Sequence, residues 1–291
     1  MLIGILGFGS IGMRHGRNLM DLGHQVAFHD PGVLGSIDRD VLIREADAVI
    51  ICTPTIRHAH DLCDVLQARK HVLIEKPIGY DCPPFISGLI MGARSAAKSL
   101  IVATGFMCRF HPEVQRAKSQ IDAGFFGKIG TCQFNVLQKN SQVQYLRDGV
   151  IRNWASHELD IARHLLGNLH VEEVSVGMNA INGRGQDISM LAILRGIERE
   201  NEVHVRADYI TNPEIREFEI VGSDAHRRFD LVQGQAVWDR TYVDELKAFI
   251  NAIDGKDPGP LADGADGVAA LQLVMDIREK AGLEDEQKKN V

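Results

Sequence analysis

The first residues able to do chemistry are Gly7-Phe8-Gly9-Ser10-Ile11-Gly12, with glycines in the spacing G-x-G-x-x-G. Alone, that spacing marks only a tight turn. Here it follows the apolar run "LIGIL" at 2–6, opens a helical pattern, and is followed about 20 residues on by Asp30. Together these features predict a dinucleotide site. Gly7 permits the turn, Gly9 lets the backbone approach a pyrophosphate, and Gly12 lets helix pack on strand. The helix start offers N–H groups and the positive end of a dipole to the phosphates. Asp30 is placed to accept hydrogen bonds from the adenosine ribose. Its charge repels a 2′-phosphate and no arginine follows it directly, so NAD is favoured over NADP.

A second candidate is Lys76 in "LIEKPIG", 73–79, a charge at the tip of an apolar run. In an open parallel sheet, ligands bind outside the carboxyl ends of the strands. Lys76 lies at such an end, as do Thr53-Pro54 and Arg109. Lys76 is therefore expected to open onto the crevice; without those neighbours it reads as a solvated strand-end charge. Arg109 suits a substrate carboxylate or phosphate, or a structural ion pair. His58 and His60 in "HAH" have no third ligand close by, and "HELDIARH" at 157–164 lacks H-E-x-x-H spacing, so no metal is expected. The five cysteines, 52, 63, 82, 108 and 132, are odd in number and without C-x-x-C spacing, and read as buried or partly buried reduced thiols.

The elements that must position these residues alternate in the first half. Apolar runs at 2–6, 25–30, 47–54, 71–77 and 99–106 read as strands, with helical stretches from Gly12 to Leu22 and at 57–69 and 83–97. That alternation predicts a doubly wound parallel sheet of Rossmann type. The second half has β-rich runs, from "GTCQFNVLQ" through "HRRFDLV" and "AVWD", divided by Gly/Asn/Asp turns. Two helices, 241–254 and 263–281, precede a polar tail, "LEDEQKKNV", expected to fray. The expected division is a dinucleotide-binding domain, 1–112, and a substrate and oligomerisation domain, 113–291. A net charge of −7 argues against nucleic acid or an anionic membrane as partner. The apolar runs are too short to span a bilayer, and the N-terminus reads as a strand, so a cytoplasmic protein is expected.

Several segments, in order, resemble the Gfo/Idh/MocA oxidoreductases: "GFGSIGMRH" at 7–15, "ICTPTIRHAH" at 51–60, "EKPIG" at 75–79, "GFMCRFHP" at 105–112, "GVIRNWASHELDIARHLLG" at 149–167 and "REFEIVGSDAHRRFD" at 216–230. The resemblance implies a C-terminal α/β domain with a large, mostly antiparallel open sheet. It implies NAD(P)-dependent hydride transfer to or from a secondary alcohol of a sugar, inositol or nucleotide sugar. It also implies a homodimer or homotetramer, and strand 202–209, with apolar residues on one side, fits an uncovered interface.

By the same resemblance Lys76 is the catalytic lysine, and Thr53, Pro54, His58 and Glu75 line the cofactor. The family's second motif carries an aspartate and a histidine four residues apart, one helical turn. Here these map to Asn153 and His157. Asn153 can orient a hydroxyl but cannot act as a base. A histidine suits proton transfer near neutrality. A lysine beside oxidised nicotinamide and partly desolvated can share the proton or, charged, stabilise the developing alkoxide. Trp154 reads as a sugar-site wall or as core, and Asp160 as a support for His157 or a helix-start charge. Two alternatives remain on the same fold: a non-catalytic cofactor sensor, which Asn153 favours, and a reductase of a small keto or imino acid.

Overall fold

The computed structural model describes residues 1–80, 82–95, 99–139, 148–181, 184–198 and 200–283. The polar tail beyond 283 lies outside them. Five strands, β1 (Leu2–Leu6), β2 (Gln25–His29), β3 (Ala48–Ile51), β4 (His71–Glu75) and β5 (Val102–Gly105), form a parallel sheet in the order β2-β1-β3-β4-β5. Their residues are nearly all apolar, as strands covered on both faces require. Helices α1 (Ser10–Asp21), α2 (Arg39–Glu45), α3 (His58–Gln67) and α4 (Pro83–Arg94) make the crossovers. The short α2 is not marked by the apolar pattern; Asp38 starts it by accepting from the Asp40 and Val41 N–H groups, both at 3.0 Å.

After α5 (Pro112–Asp122), the chain enters a six-stranded sheet: β6 (Ile129–Leu137), β7 (Leu169–Ile181), β8 (Arg184–Gly196), β9 (Glu202–Asp208), β10 (Ile215–Gly222) and β11 (His226–Asp230). The order is β11-β10-β6-β9-β8-β7, antiparallel except for β6 on β9. Helix α6 (Ser156–Leu166) packs on β6 and β9. Strand alternation buries Val203, Val205 and Ala207 and turns Glu202, His204 and Arg206 the other way. The apolar side of 202–209 is thus covered, and its other side is charged, which removes the argument for an uncovered apolar interface there. Phe218 stacks between Phe134 (5.3 Å) and Phe229 (4.7 Å) in the core of this sheet.

Two helices close the chain, α7 (Gln235–Ile253) and α8 (Gly264–Lys280). "AVWD" is not a strand but the opening of α7, because Thr241, Glu245, Leu246 and Phe249 repeat at helical spacing and all are buried. Leu246 and Phe249 pack with Ile3, Ile5, Leu19, Ile50 and Leu73. In consequence residues 1–110 and 235–271 form one compact unit, and 111–234 with 272–291 the other, the division falling within α8. This differs from a single boundary at 112/113: the apolar face of α7 returns part of the C-terminal region to the parallel sheet. None of the five cysteines, all among the described residues, is in a disulfide; Cys82 is exposed, against expectation. No helix among the described residues is long and apolar enough to cross a membrane.

Candidate active site

Register aligns the strand ends of the first unit. Leu6 pairs with His29 and Ile51, and Ile51 pairs with Ile74. The next row therefore holds Gly7, Asp30, Cys52 and Glu75, followed directly by Phe8, Thr53 and Lys76. Gly7 N–H donates to the His29 carbonyl at 2.9 Å, and Cys52 N–H to the Leu6 carbonyl at 2.7 Å, so the row is fixed by main chain.

The glycine loop fits a dinucleotide. Gly7 has φ +85°, and a Cβ there would stand 2.7 Å from the Cys52 carbonyl oxygen. A Cβ on Gly12 would strike the Gly7 carbonyl oxygen, whereas one on Gly9 would meet nothing within 4 Å. Gly9 precedes α1, where no side chain caps the helix and no acidic residue occupies the first turn, which begins with Ser10 and Ile11. The helix start is open on the side a pyrophosphate would take. The Asp30 carboxylate accepts from Phe8 N–H at 2.8 Å and Gly32 N–H at 3.2 Å, which holds it against the loop.

The neighbouring strand ends are braced by side chains. Thr53 Oγ1 donates to Asp61 at 2.7 Å, and Asp61 is paired with Arg39 at 2.7 Å. His58, buried, spans two loops: Nδ1 lies 2.8 Å from the Pro77 carbonyl and Nε2 2.8 Å from the Thr53 carbonyl. Burial pushes its pKa down. Both carbonyl oxygens can only accept, and their hydrogen bonds pull the other way from burial by favouring an N–H on each ring nitrogen. His58 is thus a strut between Thr53-Pro54 and Glu75-Lys76-Pro77. His60 is 71% exposed beside Asp64, so the two histidines face apart and form no metal pair.

Lys76 is half-buried. Behind it, Glu75 accepts from His15 Nε2 at 2.8 Å, and Lys76 N–H lies 3.3 Å from the other Glu75 oxygen. Burial alone raises the Glu75 carboxyl; the hydrogen bond and charge of His15, with Lys76, overcome it and hold the group below its ordinary value. Glu245, on α7, brings a carboxylate within 4.8 Å of this pair. Tyr242 sits edge-on to His15 at 5.9 Å, and its pKa is pushed up by burial, then by Glu75. The sequence reading missed this cluster. His15 follows Gly12 by three positions, one turn along the buried face of α1, a signal that was legible. Nothing local marks Glu245.

In the second unit, Asn153 and Trp154 lie in a π-helical turn, Ile151–Ala155, that runs directly into α6. A π turn takes more than four residues, so Asn153 and His157 do not stand at simple α spacing. Asn153 is half-buried and His157 is 7% exposed. Asn153 Nδ2 donates to Tyr209 Oη at 3.0 Å, and Trp154 meets the Tyr209 ring edge-on at 4.7 Å. Glu158 pairs with Arg216 at 2.9 Å. Asp160 has no exposed surface, so it has no face with which to meet a substrate. Arg109, in the first unit, is 4% exposed and paired with Asp266 at 3.0 Å, the ion-pair role among the two its position allowed.

The chain is similar to proteins of known activity. An inositol 2-dehydrogenase of Rhizobium meliloti is 28% identical over 277 residues, 84% of this chain and 82% of that protein. The solved scyllo-inositol dehydrogenase of Lactobacillus casei, with bound NAD(H) and scyllo-inositol, superposes with a TM-score of 0.79 at 21% identity, over 96% of each chain. The WlbA dehydrogenase of Bordetella pertussis, in complex with NADH and UDP-GlcNAcA, superposes with a TM-score of 0.82 at 19% identity, over 100% of this chain and 96% of that one. A model of the oxidoreductase family's NAD-binding Rossmann fold matches residues 27–83, and one of the GFO/IDH/MocA C-terminal domain matches 114–227. With both of its domains matched in order, this chain belongs to the Gfo/Idh/MocA family of NAD-binding oxidoreductases.

Proposed function

We propose that this protein oxidises a secondary alcohol on a cyclitol or sugar ring, with NAD as hydride acceptor. The observation that supports this most directly is the alignment of the glycine loop, Asp30, Thr53 and Lys76 on adjacent strand ends. NAD supplies the hydride chemistry; the chain must bind it, orient the alcohol and take one proton. In this reading the helix start at Gly9 holds the pyrophosphate and Asp30 the adenosine ribose. Lys76, set by Glu75 and the His58 strut, places a cation beside the developing alkoxide. His157 takes the hydroxyl proton, since imidazole as a residue type titrates near neutrality. Asn153, an amide, orients the hydroxyl and carries no proton away. The similarity to an inositol 2-dehydrogenase makes a cyclitol the first substrate to try.

The test is reduced-nicotinamide absorbance with NAD and, in turn, myo-inositol, scyllo-inositol and UDP-sugars. Turnover of one ring alcohol is expected. Tight NAD binding with no absorbance change from any alcohol, or in reverse from the matching ketone, would leave a cofactor sensor instead.

A further inference from the structure

Thr53 has one hydroxyl proton, and the structure shows where it goes. Oγ1 donates to the Asp61 carboxylate at 2.7 Å. Asp61 has no exposed surface. Its other oxygen takes Arg39 Nη2 at 2.7 Å and Arg57 Nη2 at 3.4 Å, and Arg39 also reaches Asp64 at 2.8 Å. Burial pushes the Asp61 carboxyl up, but the hydrogen bonds from Thr53, Arg39 and Arg57 pull it down further, below its ordinary value. At neutral pH it is a carboxylate, which only accepts. The Thr53 proton is therefore committed, and what the hydroxyl has left to offer is lone pairs.

Strand order decides which part of NAD can use them. The order β2-β1-β3-β4 puts Asp30, the glycine loop, Thr53 and Lys76 on successive strand ends. Thr53 is half-buried, and its main-chain nitrogen lies 2.8 Å from where a Gly7 Cβ would stand. A dinucleotide laid along that row, with its adenosine ribose at Asp30 and its pyrophosphate at the start of α1, brings its second ribose to β3 before its nicotinamide reaches β4. A threonine beside a pyrophosphate would ordinarily donate to phosphate. Here that role is closed, since a phosphate oxygen also needs a donor. A ribose hydroxyl supplies a proton of its own, and Thr53 fits it. An acidic residue in the first turn of α3 is favoured by the helix dipole alone, but the dipole does not call for the 2.7 Å bond to Thr53.

We propose that Asp61 is a positioning residue for the cofactor: by taking the Thr53 proton it fixes Thr53 as an acceptor, which favours a hydroxyl of the nicotinamide ribose over phosphate at that strand end. That role rests on NAD as the cofactor in the function proposed above, and not on the ring alcohol.

The experiment reads NADH affinity by fluorescence titration of the full chain, and ADP affinity by displacement of NADH. ADP carries both phosphates but not the second ribose, so the ratio of the two affinities isolates contacts beyond the pyrophosphate. In Asp61→Asn the amide oxygen stays with Arg39 and Arg57, because an NH₂ cannot accept from them. The NH₂ then faces Thr53 and donates to it, and the Thr53 proton is released toward the cofactor. Loss of the negative charge favours both ligands and cancels in the ratio. The expected result is an NADH-to-ADP affinity ratio lowered by about 3- to 10-fold, the size of one hydrogen bond. Thr53→Val should show a similar fall and Thr53→Ser should not. Adding Asp61→Asn to Thr53→Val should lower the ratio no further, because the two residues act as one unit. An unchanged ratio in Asp61→Asn overturns the proposal and leaves Asp61 a structural ion-pair partner, whatever its melting temperature does. A raised ratio also overturns it, since Thr53 would then serve the cofactor better as a donor. No turnover of any ring alcohol would count against the proposed substrate class, while the affinity ratio still decides the role of Asp61.

Discussion

In the first unit the candidate residues ride on four strand ends in one register row; in the second they ride on a helix whose opening turn is π-coiled. The row is held by main-chain bonds such as Gly7 to His29 and Cys52 to Leu6. The π turn is held by side chains reaching from β8 and from the end of β9: Asp187 accepts from the Ile151 N–H, and Tyr209 accepts from the Asn153 amide and donates to the Gly149 carbonyl. Main-chain register tolerates side-chain substitution; a side-chain clamp does not. Damage to the first unit should therefore come from residues that change backbone room or buried charge, and damage to the second from single polar groups.

The largest expected effect lies on the chemistry itself and breaks both halves alike. Lys76→Met and His157→Ala should each lower turnover by about 10²–10⁴-fold, the usual cost of a lost proton-transfer or charge-stabilising group. NAD affinity, read by fluorescence titration, should change little, since the glycine loop and Asp30 are untouched. Wild-type turnover in His157→Ala would move the proton to another base.

Gly12→Ala sharpens the comparison on the main-chain side. Its Cβ would strike the Gly7 carbonyl oxygen, so α1 must shift from β1. A loss of about 2–3 kcal/mol in unfolding free energy, with weakened NAD binding, is expected from such overpacking. Gly9→Ala, where a Cβ meets no protein atom, should spare stability and weaken only NAD. Equal melting temperatures for wild type and Gly12→Ala would show that the loop gives way.

His15→Leu tests the buried charge behind Lys76. The Glu75 carboxyl is held below its ordinary value by His15, so it contributes stability above the unfolded-state pKa and loses it as pH falls. Without His15 the carboxylate is buried short of a partner. A loss of about 1–3 kcal/mol near neutral pH, shrinking toward pH 4, should appear in denaturant titrations. A gap that grows in acid would assign the depressed pKa to another neighbour.

Asp30→Ala should have the smallest effect. Removing the carboxylate frees space and charge for a 2′-phosphate, so the preference for NAD over NADP should narrow by about tenfold, one lost charged hydrogen bond. Tighter NADP binding in the wild type would reverse the assignment.

What the sequence determined by itself is the parallel sheet and its ligand end. Apolar strands alternating with helices, and glycines whose roles are backbone roles, are local signals, and Gly7, Asp30, Thr53 and Lys76 fall where strand ends put them. The second sheet was legible from its β-rich runs and turns, and Lys76 and His157 from motif resemblance. Tertiary structure alone decided the rest. Whether Arg109 meets substrate or Asp266 depends on where α8 docks. Which side of β9 is covered depends on α6, and the sequence alternation reads the same either way. Glu245 reaches Glu75 only because α7 folds back on the parallel sheet. Asn153 meets the Tyr209 hydroxyl, 56 residues away, only because the π turn packs on β9. Periodicity reports which face of an element is apolar; which partner covers that face, and which buried polar groups then meet, is fixed only by long-range packing.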